Sequence, residues 1–235
     1  MTIALLAAST ASAETTLSLS LGQSSTRDSA LKIEQPSTSS AATFEGVSWK
    51  DRSYEAPIYY AIRLAHYFES SPQWGLSLDF VHYKVYAQTE KSVKVSGTWN
   101  GFAVNEDAPL DQRVQGFSIS HGVNFLGVSV LHRWLVDRTT RFPNGKWQPY
   151  LGGGPVLYVL HPENTINGLT ADEKYQTSGF GFQVFTGVTY RLTAHWSLTA
   201  ESRYDKGEAR VDIAGGTAET DLQSFHLTFG IGYSF

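Results

Sequence analysis

From 225 to 235 the chain alternates without a break. Phe225, Leu227, Phe229, Ile231, Tyr233 and Phe235 are apolar or aromatic, and His226, Thr228, Gly230, Gly232 and Ser234 between them are small or polar. Such alternation puts the two sets on opposite faces of a β-strand. Strand character of this kind recurs over roughly 15–24, 54–68, 73–87, 118–134, 147–160, 175–192, 195–210 and 219–235. Most of these runs reach the roughly 9–11 residues that a tilted strand needs to cross a bilayer. The connections alternate too: 25–53 and 88–117 are long and polar, 69–72 and 193–194 short, and 135–146 is long for its side. The rhythm predicts an all-β fold, an eight-stranded antiparallel up-and-down transmembrane β-barrel with long extracellular loops at 25–53 and 88–117 and mostly short periplasmic turns.

The alternation assigns faces. Ile58, Tyr60, Ile62 and Leu64, then Trp74, Leu76, Leu78 and Phe80, then Phe180, Phe182 and Val184 are expected on lipid. Trp74, Trp134, Tyr190, Trp196 and Phe235 fall near the periplasmic ends and predict an aromatic girdle there. Composition agrees: charged residues are 17%, aromatics 13%, and no apolar run is long enough for a spanning helix. A net charge of −4 with no basic run argues against nucleic acid. The absence of cysteine is compatible with a closed barrel that needs no disulfides. Ile3 to Ala8 form a short apolar run before Ala11-Ser12-Ala13, which predicts a signal-peptide remnant at 1–13 and a single barrel domain over 14–235.

Eight strands leave a lumen that side chains fill. Arg63, Asp79, Glu201, Arg203 and His226 are expected to meet inside as a structural network, because buried charges must be paired. A diffusive pore is not expected. Ser224 and His226 share a face that alternation aims inward. Gly152-Gly153-Gly154 lacks the Lys and helix of a phosphate loop and reads as a smooth patch that permits strong coiling or gives room to a neighbouring aromatic.

Chemistry concentrates at the outer strand ends. His82 and Lys84, His121 and Asn124, and His161 and Glu163 all fall at one rim, with Trp49 just before the second strand. His82, His121, His161 and Glu163 are the candidate catalytic residues, able to move protons or hold a metal. Lys84, Asn124 and Trp49 are candidates for binding an anionic glycolipid. His161-x-Glu163 is only a two-residue metal pattern, and the sequence fixes neither a metal nor a cofactor. The alternative is an interfacial belt of polar groups that marks where lipid ends.

The same segments carry a resemblance. Gly46-Val47-Ser48-Trp49-Lys50 with Ser53-Tyr54-Glu55-Ala56-Pro57, Asp79-Phe80-Val81-His82-Tyr83-Lys84-Val85-Tyr86, His121-Gly122-Val123-Asn124-Phe125, and Pro149-Tyr150-Leu151-Gly152-Gly153-Gly154 through His161-Pro162-Glu163 resemble the outer-membrane lipid A oxidase family of rhizobia and relatives. The likeness runs over about 44–192. It departs from the family pattern at Leu160, where the family has proline. The resemblance implies oxygen-dependent oxidation of the proximal glucosamine of lipid A to an aminogluconate unit. Lipid and lipopolysaccharide of the bacterial outer membrane are the expected surroundings. The strand ending at Phe235 resembles the signal read by the barrel-assembly machinery. The competing expectation is a non-enzymatic barrel whose loops contact surface partners.

Overall fold

The alternating segments close on themselves. The computed structural model describes residues 13–235, so the expected signal segment, apart from Ala13, lies outside the described residues. In chain order the strands are β1 (Glu14–Thr26), β2 (Ser29–Gln35), β3 (Ser40–Val47), β4 (Trp49–Lys50), β5 (Tyr60–Phe68), β6 (Ser71–Ala87), β7 (Ser92–Trp99), β8 (Phe102–Pro109), β9 (Val114–Arg133), β10 (Trp147–Ile166), β11 (Leu169–Thr170), β12 (Gln176–Arg191), β13 (Trp196–Ile213) and β14 (Gly216–Ser234). Eight of them form an antiparallel ring in the order β1–β5–β6–β9–β10–β12–β13–β14, and β14 returns to β1 with Thr16 opposite Ser234 and Thr26 opposite Ser224. A ring has no unpaired edge in the hydrocarbon, which is the condition for a sheet to span a bilayer. The second barrel strand begins at Tyr60 rather than at 54. Residues before it form a turn in which the Tyr59 N–H donates to the Ser53 carbonyl at 2.8 Å, and Pro57 has no N–H for a ladder.

The outer face carries a continuous apolar band. Leu17, Leu19 and Leu21 of β1, Leu76 and Leu78 of β6, Leu126, Val128 and Val130 of β9, and Leu227, Phe229 and Ile231 of β14 are all exposed. A soluble protein rarely shows so large a patch. At the end with the short turns, Trp74 lies 4.6 Å from His132, Trp147 4.5 Å from Tyr190, and Tyr233 5.0 Å from Trp196 and 5.3 Å from Phe235, centroid to centroid. Apolar band and aromatic girdle make the chain an integral outer-membrane β-barrel.

The lumen is stacked in storeys. At the periplasmic floor Glu14 accepts from Arg133 at 3.0 Å, from Asn144 at 2.8 Å and from Arg191. Asn144 belongs to the 135–146 connection, whose length lets it fold under the barrel and reach Glu14. In the middle, Arg63 and Arg203 each contact both Asp79 and Glu201, a square of alternating charge. Both guanidinium groups lie over Phe185, Arg63 at 4.0 Å and Arg203 at 5.0 Å from the ring centroid. A Cβ on Gly152 would sit 2.6 Å from that ring, so the glycine run leaves space for it. His226 stands apart from this square. It pairs through Nε2 with Asp205 and packs edge-on against Tyr83 at 4.9 Å.

Above the membrane the lumen turns apolar. β14 outlasts β1, and from Thr217 to Thr220 it pairs with β2 instead. β2 pairs with β3, β3 with β7 and β7 with β8, so 25–53 and 88–117 carry a four-stranded continuation of the wall. The β7–β8 hairpin turns on Asn100 (φ 51°) and Gly101 (φ 83°), the positive-φ pair that a two-residue hairpin loop favours. The Asn100 amide meets that of Asn167, which stands in a second Asn-Gly turn between β10 and β11. Leu31, Ile33, Phe44, Val95, Leu110 and Ile119 bury a core beneath this sheet. Trp49 belongs to that core rather than to the lipid face: its Nε1–H donates to Ser29 Oγ at 2.8 Å, and it packs on Phe117 at 6.0 Å.

Candidate functional site

The outward face of β6 is apolar through Leu76, Leu78 and Phe80 and then changes to His82 and Lys84. From Trp74 to His82 the strand advances about 26 Å at roughly 3.3 Å per residue. A tilt near 40° makes that about 20 Å of height, close to the ~25 Å apolar band of such barrels. His82 thus stands at the outer boundary of the hydrocarbon.

At this height β9 bulges. Tyr83 and Leu160 both face Val123, whereas Val85 and Pro162 both face Ile119, so β9 carries extra residues against each neighbour. A bulge re-aims side chains. Odd-numbered residues on either side, Ile119, Val123 and Phe125, are buried inside, yet the His121 side chain is about half exposed. It joins the outward-facing His161 and Glu163 of β10. His121 Nδ1 lies 2.6 Å from Glu163 Oε1, and Ser120 Oγ donates to the same oxygen. The His121 and His161 rings meet at 4.9 Å, and Tyr175 lies 4.7 Å from His161. Glu173 completes the group: one donor atom from each of His121, His161 and Glu173 lies within 4.8 Å of the others.

His82 is tied to the cluster from below. Its Nδ1 is 2.8 Å from Asn124 Oδ1, and its ring stacks on Tyr60 at 5.0 Å. In the tautomer whose Nδ1–H donates to the Asn124 carbonyl, Nε2 is the basic position. A cavity of about 510 Å³ opens on the outer wall here, lined by His82, His121, Asn124 and Tyr175 and, on the membrane side, by Phe80 and Leu126. Such a lining suits an amphiphile with its chains in lipid and its polar head at the histidines.

His121, His161 and Glu163 therefore lie together on the outside of the wall, with His82 buried just beneath them beside Asn124. The expected glycolipid-binding residues are placed differently. Lys84 is buried, and its ammonium donates to the Glu55 carbonyl at 2.8 Å, so it holds the 53–59 segment over β6. Asn124 is buried with His82, and Trp49 is in the extracellular core. Sequence reading missed Glu173 and Tyr175. Glu173 lies in the polar stretch between β11 and β12, where no periodicity assigns a direction, and Tyr175 stands at the very start of the 175–192 run, just before β12.

Gly122 is a requirement of this geometry. Its φ is 127°, and a Cβ there would lie 2.6 Å from both His82 Nδ1 and Asn124 Oδ1. Gly122→Ala is expected to separate the pair and to destabilise the bulge by about 1–3 kcal/mol. Thermal unfolding in detergent would register a lowered midpoint in an otherwise folded barrel. An unchanged midpoint would show that the bulge relaxes freely.

No protein-family model matches the chain, and no curated protein matches it. Among solved structures, the outer membrane protein OprG from Pseudomonas aeruginosa is 14% identical, with 96% of this chain and 97% of that chain covered and a TM-score of 0.49. Neisserial surface protein A is 16% identical, with coverage of 95% and 97% and a TM-score of 0.42. The outer membrane protease OmpT from Escherichia coli is 9% identical, with 99% of each chain covered and a TM-score of 0.45.

Proposed function

We propose that the outer-rim cluster oxidises the proximal glucosamine of lipid A to an aminogluconate unit, with dioxygen as the acceptor. One observation carries the reading: His82 and His121 line a cavity with an apolar lower lining on the lipid side of the wall, at the height of the headgroups, and His161 and Glu163 flank His121 there. A site for a soluble substrate would open into water or the lumen. The segment resemblance to the lipid A oxidase family points to the same substrate, since it falls on these residues. In this reading the acyl chains run down past Phe80 and Leu126, and the anomeric hydroxyl of the proximal sugar lies in the cavity beside His82 and His121. Two electrons and two protons leave the sugar for dioxygen, which becomes hydrogen peroxide. Water then opens the lactone to the aminogluconate.

The test is expression of the chain in an outer membrane whose lipid A is unmodified, followed by mass spectrometry of that lipid A. A mass gain of one oxygen atom on the proximal sugar is expected. An unchanged spectrum, with the barrel shown folded by its heat-dependent gel mobility, would favour a second reading, a non-enzymatic surface barrel. That reading draws on β8, whose outer edge is unpaired and presents Asn105, Glu106 and Asp107 to solvent.

A further inference from the structure

We infer that His121, His161 and Glu173 form a binding site for a divalent first-row transition metal of the iron(II) class. This deepens the oxidase reading, on which its chemical purpose rests, although metal binding itself can be measured apart from it.

Three observations converge. The donor set is two imidazoles and one carboxylate from three separate places in the chain: the β9 bulge, β10, and the segment between β11 and β12. Two histidines and one carboxylate on one face of a metal, with other positions open, is the set that suits iron(II) sites which handle dioxygen. Ligand atoms around one ion are about 3–4 Å apart, given bonds of about 2.1 Å. The donor atoms lie within 4.8 Å of one another, and rotation of the exposed Glu173 side chain toward the two imidazoles closes that spread.

The neighbours of the donors point the same way. Glu163 Oε1 sits 2.6 Å from His121 Nδ1. A carboxylate in that position fixes the tautomer with the proton on Nδ1 and turns Nε2 outward as the donor, the usual arrangement behind a metal-bound histidine. Ser120 donates to the same Glu163 oxygen and holds it in place. Glu163 is therefore assigned to orienting His121 rather than to the ion. On His161, Nδ1 is buried with no hydrogen-bond partner among the described residues, which coordination would satisfy. The site adjoins the cavity that takes the sugar in the reading above, because His121 and Tyr175 line both.

The experiment uses the refolded full barrel in detergent, stripped with a chelator and dialysed. Cobalt(II) is titrated as a spectroscopic probe and iron(II) is titrated anaerobically, with the bound metal measured per chain. One ion per chain is expected. His121→Ala and His161→Ala should each weaken binding by about 100-fold, an even share of the stabilisation that a few ligands provide. Glu163→Gln should weaken it about 10-fold by loosening His121. Glu69→Gln, exposed in the short turn between β5 and β6 at the other end of the barrel, should change nothing. Retention of no ion by the wild-type barrel would overturn the proposal, as would equal binding in the His121→Ala/His161→Ala double variant when heat-dependent gel mobility shows it folded. Metal binding with unmodified lipid A would remove the oxidase reading and keep the site. Oxidation by chelated, metal-free protein would do the reverse.

Discussion

Arg203→Met should lower barrel stability by about 3–5 kcal/mol, the range for removing one partner of a buried ion pair. Arg203 is buried, and its guanidinium donates to Glu201 Oε1 at 2.8 Å, to Asp79 Oδ1 at 3.0 Å and to Gln183 Oε1 at 2.7 Å. Without it, two buried carboxylates share Arg63 alone, and Gln183 loses its donor. Methionine fills the space but offers no hydrogen to them. Removing one charge of each sign, Asp79→Asn with Arg203→Met, should lower stability by less than the sum of the two single changes, since Arg63 and Glu201 remain a matched pair. Lys32→Met, which breaks an exposed pair with Glu219, should leave the transition where it was. Denaturant unfolding in lipid vesicles, followed by tryptophan fluorescence, would measure all four. A loss below about 1 kcal/mol for Arg203→Met would mean that water reaches the square and that the lumen is not sealed.

The membrane-spanning part of this architecture is legible in the sequence, and the part above it is not. Period-two alternation is enforced wherever one face meets lipid and the other a packed lumen, so runs such as Trp74 to Phe80 and Phe225 to Phe235 place their strands within a few residues. Beyond the lipid boundary that constraint lapses. Leu31 and Ile33, or Val93 and Val95, alternate for only a few positions amid polar neighbours, and β2, β3, β7 and β8 read as loop. The local clue was the Asn100-Gly101 pair between Val95 and Val104, a hairpin signature whose strands are too short to register by period. The same lapse explains the rim. Alternation places His82, His161 and Glu163 on the outer face, but His121 reaches it only through the β9 bulge, whose two extra residues turn its side chain outward while Ile119 and Val123 on either side keep the inward parity. Lys84 has the outward parity of His82, and only the 53–59 segment folded over it removes it from lipid. His226 has the inward parity of Arg203 but reaches Asp205 instead, because parity gives a face and not a height.

His121→Ala and Glu163→Ala should each reduce oxidation of lipid A by about 100-fold, the loss expected on removing an imidazole that holds the ion or the carboxylate that orients it. The two losses are expected to be far from additive, because the side chains act as one unit: Glu163 accepts from His121 and Ser120 at the same oxygen, so removing it frees the imidazole, and removing the imidazole leaves Glu163 with nothing to orient. Ser120→Ala, which keeps both, should reduce the rate by only about 10-fold. His82→Ala belongs with the large effects, since it removes the imidazole nearest the membrane and leaves Asn124 Oδ1 without its partner. His121 and Glu163 lie on the outside of the wall and His82 and Ser120 are buried beside them, all away from the charged storeys of the lumen, so heat-dependent gel mobility should match that of the parent barrel. The measurement is the ratio of oxidised to unmodified lipid A by mass spectrometry at equal barrel content in the membrane. Full oxidation by His82→Ala, His121→Ala and Glu163→Ala would remove the rim as the site. Loss of oxidation together with loss of the folded band would instead mark these residues as structural, and the polar belt would then be where lipid ends and nothing more.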